Sequence, residues 1–495
     1  MNEKSKNEVT NSPNTSLPNV WVSLIPIIAL VVMVALAIIL YGDNSINGGN
    51  QIALLVASGL CVCLSMWIHK TTWKNFEEAI KNTIGGASVS IIILLIIGML
   101  SGAWMISGVV PTLIYYGVQI MSPQFFLVSS CVICAVVSVM TGSSWTTIAT
   151  IGMALLGIGE ALSVPNYWTA GAIISGAYFG DKISPLSDTT VLASSSSGSD
   201  LFSHIRYMLY TTTPTMVITL IIFFIAGFWY GGSEESNITQ YTEGLSNTFN
   251  ITLWTLIVPI ITAVLIAKKV PSLITLFVSA LTAGIVAIIT QRGILLEIAE
   301  SETENAMNIT KGLLTTFFGS TSVETGSSTL NDLVSTGGMA GMLPTIWLIL
   351  CAMCFGGVMV ASGMLQSVIN VVLRWIKTRF GLVSSTVGSG ILMNLATSDQ
   401  YISIILTANM YKDIYKEQGY EPRLLSRTTE DAVTVTSVLI PWNTCGMTQA
   451  TVLGIPTLTY LPYCFFNYLS PLMTMIIAAT GWKIRNSKNQ KNKTI

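Results

Sequence analysis

The chain has 495 residues, of which 51% are hydrophobic and 9% charged, with a formal net charge of −1. Soluble domains average about 25% charged residues and lack apolar runs of about 20 residues, so a soluble globular protein is excluded. No basic cluster points to nucleic acid as a partner.

Residues 1–19 form a polar tail without the h-region and cleavage site of a signal peptide, so Val20–Tyr41 reads as an uncleaved anchor. Further apolar runs lie at Gln51–Trp67, Ser88–Gly108, Thr211–Tyr230, Ile251–Ala267 and Leu273–Thr290. Each is near the length that crosses about 30 Å of hydrocarbon, which predicts a polytopic protein in a lipid bilayer. Lys70–Gly86 reads as an amphipathic stretch at the cytoplasmic surface, with Gly85-Gly86 and Gly337-Gly338 punctuating helix starts. Residues 124–160 read as two short arms around Thr141–Thr146, a hairpin re-entering from outside.

Tyr167–Phe179 is only half a span, and Gly180–Thr190 (GDKISPLSDTT) interrupts it before the crossing resumes at Val191 and ends near His204 and Arg206. Ionisable groups at membrane depth mark an ion or substrate pathway. A proline-broken helix is tolerated there only when buried in protein or lining a cavity. The Ser194–Ser197 run reads as a loop or helix cap.

The second half echoes the first at a common offset of about 255 residues: Leu127-Val-Ser-Ser130 recurs as Leu382-Val-Ser-Ser385, and Pro185 faces Pro441. Flanking charges swap sides. Lys70, Lys74 and Lys81 face Glu297, Glu300, Glu302 and Glu304, whereas uncharged Tyr115–Pro123 faces Arg374, Lys377 and Arg379. Cytoplasmic loops collect Lys and Arg, so the copies have opposite orientations, a pattern of secondary transporters. The predicted fold is an all-α polytopic membrane protein with two inverted repeats, each holding a re-entrant hairpin and a broken helix. The repeats span 20–230 and 251–482, joined by an external loop at 231–250. A basic tail at 483–495 ends the chain, with both termini cytoplasmic. The second hairpin, Leu382–Tyr415, turns at Thr397–Gln400 and opens to the cytoplasm. The second broken span, Thr428–Pro456, is interrupted at Thr436–Thr444, and Thr457–Thr480 returns.

Two tips and two breaks then meet near the midplane with many oxygens. A desolvated carboxylate there binds either a proton or a hard cation such as Na⁺, each displacing the other. Asp181, Asp188 and Asp399 are the leading candidates, as ligands of Na⁺. Ser143, Ser144, Ser184, Ser187, Thr189, Ser398, Asn443 and Thr444 join them as ion- or proton-binding residues. Lys182, Thr397, Glu430, Asp431, Thr436 and Ser437 are secondary candidates. Structural readings compete: Lys182 pairing with Asp188, Asp399 capping a hairpin arm, and Arg427 pairing with Glu430 or Asp431. The tryptophans mostly suit interfacial belts, and Trp145, beside the first tip, is the one that reads as a site residue. The eight cysteines lie in or beside apolar segments and read as small hydrophobes, without a zinc site or disulfide. No nucleophile–base pair, phosphate loop or cofactor motif appears, so neither an enzyme nor a bound cofactor is expected; Na⁺ and H⁺ are the expected cargo.

Gly176-Ala-Tyr-Phe-Gly-Asp-Lys-Ile-Ser-Pro-Leu-Ser-Asp-Thr-Thr190 resembles the signature of NhaC-type sodium/proton antiporters, and Thr428–Asn443, with Glu430-Asp431 and Ile440-Pro-Trp-Asn443, is similar to that family too. The resemblance implies Na⁺/H⁺ exchange by alternating access across a bacterial plasma membrane. Other members exchange or import small carboxylates such as malate and lactate, or amino acids. The broader ion-transporter grouping implies elevator-type movement and homodimers.

Overall fold

The computed structural model describes residues 18–230, 235–325, 328–373 and 378–484. Of the expected tails at 1–19 and 483–495, residues 1–17 and 485–495 lie outside the described residues, as do the cations Arg374 and Lys377.

The chain opens with α1 (Val20–Tyr41), whose N-terminus is capped by Asn19 accepting from Trp21 N at 3.0 Å. Next come α2 (Gly49–His69) and α3 (Trp73–Ile106). The expected amphipathic stretch and third span are one 34-residue rod, about 51 Å long at 1.5 Å per residue. Gly85 and Gly86 do not start a helix: they face open space in its middle, and without a proline nothing interrupts its hydrogen-bond ladder. Then follow α4 (Val109–Ile120), α5 (Phe126–Thr141), α6 (Ser144–Thr147), a π-helical turn at Ile148–Gly152, and α7 (Met153–Ala161). The broken span is α8 (Asn166–Ile183) and α9 (Asp188–Ser197), and α10 (Leu201–Tyr230) completes the first half. Ser194–Ser197, expected as a loop or cap, forms the last turn of α9.

The connecting region holds α11 (Glu235–Thr248), and α12 (Ile257–Ala267) and α13 (Ser272–Thr290) follow. Short helices α14 (Arg292–Ile298), α15 (Ala306–Phe318) and α16 (Ser328–Val334) lead to α17 (Leu343–Ala361) and α18 (Met364–Leu373). The second helical hairpin is α19 (Arg379–Thr397) and α20 (Gln400–Glu417). The second broken span is α21 (Pro422–Thr429), a π-helical turn at Glu430–Thr434 and α22 (Thr444–Leu453), before α23 (Thr457–Tyr460) and α24 (Phe465–Thr480). Among the described residues, eight helices are long and apolar enough to cross a membrane, or up to ten if each of two bent pairs counts as one span.

From α3 to α10 the order of elements recurs from α17 to α24: long helix, short helix, hairpin, broken helix, return. The two hairpins open toward opposite ends of α10. The base of the first packs on its C-terminal half, where Gly227 abuts Gln124 O and Phe125 meets Phe224 and Phe228. The base of the second leads into α21 at the N-terminal end of α10, where Ser426 meets His204 at 2.8 Å and Arg423 stacks on Tyr207. An α10 of 30 residues, about 45 Å, is long enough to separate the two bases across a membrane. Helix α3 packs on both α13 and α17 and joins the two halves.

Candidate functional site

Both breaks are made by a proline. Pro185 and Pro441 push the preceding residue out of the helical region, leaving Ser184 at ψ 130° and Ile440 at ψ 117°. The first break is narrower than the Gly180–Thr190 expected, because α8 continues helically through Asp181 and Lys182 to Ile183. Unwinding covers only the four residues between α8 and α9. Ser187 then caps α9, accepting from Thr190 N at 3.4 Å, and Asn443 caps α22, accepting from Cys445 N at 3.1 Å.

The two hairpin tips are built alike. At the first, Gly142 takes φ +67° and Ser143 caps the following helix, accepting from Thr146 N at 3.2 Å. At the second, Ser398 takes φ +58° and Asp399 caps α20, accepting from Ile402 N at 2.9 Å. Thr141 and Thr397 each donate across their turn, to Ser143 O and Asp399 O, both at 3.1 Å. Each tip docks on the break of its own half. Ser144 donates to Asp181 Oδ2 at 2.7 Å and Ser184 to Val139 O at 2.8 Å. In the second half, Thr444 N bonds Ser398 O at 2.9 Å, and Thr444 Oγ1 donates to Asp399 Oδ2 at 3.3 Å.

Asp181 accepts from Ser144 and, at 2.6 Å on its other oxygen, from Ser187. It is buried yet lines a cavity of about 420 Å³ together with Ser143, Ser144, Ser187, Asp188 and Thr189. Asp188 opens the first turn of α9 and is exposed to that space. Trp145, Gln400 and Tyr401 add to its wall, so the tip of the second hairpin reaches the site of the first half. Lys269, from the α12–α13 connection, lies on the same wall. Two carboxylates, several hydroxyls and unpaired lone pairs make this an oxygen-rich setting for a hard cation.

Asp399, Ser398, Asn443 and Thr444 do not line that cavity; they bind one another around the second break. Of the competing structural readings, the cap holds for Asp399. Lys182 pairs with Asp431, on the other half of the chain, rather than with Asp188, and also donates to Ser470 at 2.9 Å. Thr211 and Ser470 bond the same Asp431 oxygen, and Arg427 Nε lies 3.9 Å from its second one. Arg427 is fully buried and stacked 4.4 Å from the Tyr207 ring centroid. Glu430 is reached from the first half by Thr189 Oγ1 at 3.3 Å. Thr436 and Ser437 return their hydroxyls to Ala432 O and Thr434 O.

Sequence reasoning passed over three amides. Asn394, Gln400 and Asn467, from α19, α20 and α24, donate to Val433 O, Thr434 O and Val435 O. They satisfy carbonyls around the π-helical turn that carries Glu430 and Asp431. Lone amides inside apolar stretches (ILMNLA and CFFNYL) were the available signal.

The model of the Na⁺/H⁺ antiporter family matches residues 1–195 and 176–482. A malate-2H⁺/Na⁺-lactate antiporter of Bacillus subtilis is 36% identical over 464 residues, covering 93% of this chain and 96% of that protein. The Na⁺/H⁺ antiporter NhaC of Alkalihalophilus pseudofirmus is 34% identical, covering 94% and 97%. The chain belongs to the Na⁺/H⁺ antiporter family. Another relative of this family member, the arginine/ornithine antiporter ArcD of Halobacterium salinarum, is 34% identical, covering 94% and 93%. The NhaC resemblance of the Gly176–Thr190 signature therefore extends along nearly the whole chain.

Proposed function

We propose that this chain exchanges Na⁺ for H⁺ across the bacterial plasma membrane by alternating access, with Asp181 binding one or the other. The observation that carries this reading is the setting of Asp181: a carboxylate at a helix break, on a cavity wall, held by Ser144 and Ser187. Those two hydroxyls leave lone pairs on each oxygen for an incoming cation. A proton on Asp181 removes the charge that holds Na⁺, and Na⁺ disfavours the proton. Asp188 is the second carboxylate at the cavity. Asp399, Ser398 and Thr444 hold the opposite tip and break together. In this reading residues 20–230 and 251–482 act as inverted repeats, moving in elevator fashion, and two copies pair. Both termini are cytoplasmic, as is Lys269, so the cavity faces inward.

In everted vesicles, added Na⁺ should dissipate a preset ΔpH, and Asp181→Asn should abolish the effect. Absence of any Na⁺-dependent proton movement by the purified protein defeats the reading. Because protons and Na⁺ compete, the half-saturating Na⁺ concentration should rise as pH falls.

The cavity volume favours a second reading, coupled transport of a small carboxylate or amino acid. About 420 Å³ lies within the range of small-molecule sites and far exceeds a bare cation. Lys269 and the N-terminal turn of α9 are suited to a carboxylate. The malate–lactate and arginine–ornithine exchange of two relatives supports testing labelled malate, lactate and arginine in proteoliposomes. No uptake of any of them removes this reading.

A further inference from the structure

Four oxygens form an unbroken chain between the two halves of the molecule: Asp181 Oδ1, Ser187 Oγ, Thr189 Oγ1 and Glu430 Oε1, at successive separations of 2.6, 2.9 and 3.3 Å. All three contacts lie within hydrogen-bonding reach, the last of them long, and each needs one proton. The two hydroxyls bring only two protons. When Asp181 is ionised, as cation binding requires, it takes the proton of Ser187. The contact between Ser187 and Thr189 must then use the proton of Thr189. Nothing but Glu430 can supply the last one.

The geometry points to Glu430 as a protonated positioning residue. While Asp181 holds the cation, the neutral Glu430 carboxyl donates to Thr189, and the chain of hydroxyls passes that orientation on, so that Ser187 always donates into Asp181. This rests on the reading of Asp181 as the cation carboxylate.

The surroundings agree. Glu430 is fully buried and its second oxygen has no hydrogen-bond partner among the described residues, a costly setting for a carboxylate and a tolerable one for a neutral acid. The buried cations Lys182 and Arg427 both face Asp431. Helices α19, α20 and α24 bring to this π-helical turn the amides Asn394, Gln400 and Asn467 and the Ser470 hydroxyl, all neutral. From α9 comes Thr189 itself, and His204 of α10 is engaged with Ser426.

Infrared absorption spectra of the purified full chain, recorded without and with saturating NaCl, test this directly. Na⁺ should erase the carbonyl stretch of one neutral carboxyl, absent from Asp181→Asn, and leave a second that Glu430→Gln removes. Thr189→Val, which takes away the acceptor, should shift the second band, and Thr189→Ser should return it. In transport, Thr189→Val and Glu430→Leu should raise half-saturating Na⁺ about tenfold or more, the scale of a lost hydrogen bond to a charged group. Glu430→Gln keeps a donor and should recover most of what Glu430→Leu loses. A Na⁺-saturated protein with no neutral-carboxyl band overturns the inference, as does a band indifferent to Glu430→Gln. Failure of Na⁺ to erase the Asp181 band instead defeats the functional reading on which it rests.

Discussion

Lys182 and Asp431 are both fully buried, and Asp431 also accepts from Ser470 and Thr211. Removing one partner of such a pair leaves a buried charge and costs about 3–5 kcal/mol, whereas replacing both by apolar groups is often near neutral. Asp431→Leu, which strands the buried Lys182 and Arg427 cations, should therefore lower the melting temperature in detergent sharply, and adding Lys182→Met should recover part of the loss. A double variant no more stable than the single one contradicts a structural role for the pair. At this scale the sequence was legible in kind and not in partnership. The candidate list holds Asp181, Ser144, Ser187 and Glu430, because carboxylates and hydroxyls at membrane depth stand out in an apolar background. Lys182 was matched with the wrong aspartate, because a partner 249 residues away leaves no local trace.

Helices α5 and α8 lie backbone to backbone because Gly176 and Gly180 remove the side chains between them. A Cβ at Gly176 would sit 2.1 Å from Cys131 O, and one at Gly180 would sit 2.4 Å from Ala135 O. Small residues at four-residue spacing permit this approach in membranes. Gly176→Val should destabilise by at least about 2 kcal/mol through overpacking and reduce the folded yield on size exclusion. Gly142 is constrained twice, by its left-handed turn and by Leu186, whose carbonyl carbon lies 2.7 Å from the position of a Cβ. Element order was readable because hydropathy runs and proline breaks are local signals. The unbroken α3 was not, since Gly85-Gly86 reads as the start of a new helix, and only the absence of a capping turn shows that the helix continues.

Across the whole molecule, several cations gather at one end. Arg379 donates to Ala478 O and Ala479 O, Lys483 stacks on Tyr210, and Lys412 reaches Ser196 O, all near the N-terminal end of α10. At the other end Arg292 meets Glu304, and Gln291 bonds Asn250. The Asp181 cavity opens beside Lys269 and Ser272. Ser272→Cys should thus react with an impermeant maleimide from the cytoplasmic side; labelling from the outside alone contradicts the inward orientation. The charge reversal between halves was legible in the loops. How the halves dock was not, since those contacts join residues 241 to 249 positions apart, Thr189 with Glu430 and Lys182 with Asp431, and leave no local trace.

The pairing of Lys182 with Asp431 also has a consequence for biosynthesis. The two residues are separated by 249 positions. At about 5–20 residues per second, a ribosome needs roughly 12–50 s to make the second after the first. Throughout that interval the nascent N-terminal half carries an ammonium group and an open helix end with no counterpart. Its polar seam must stay wet or shielded at the insertion machinery until the C-terminal half arrives to close it.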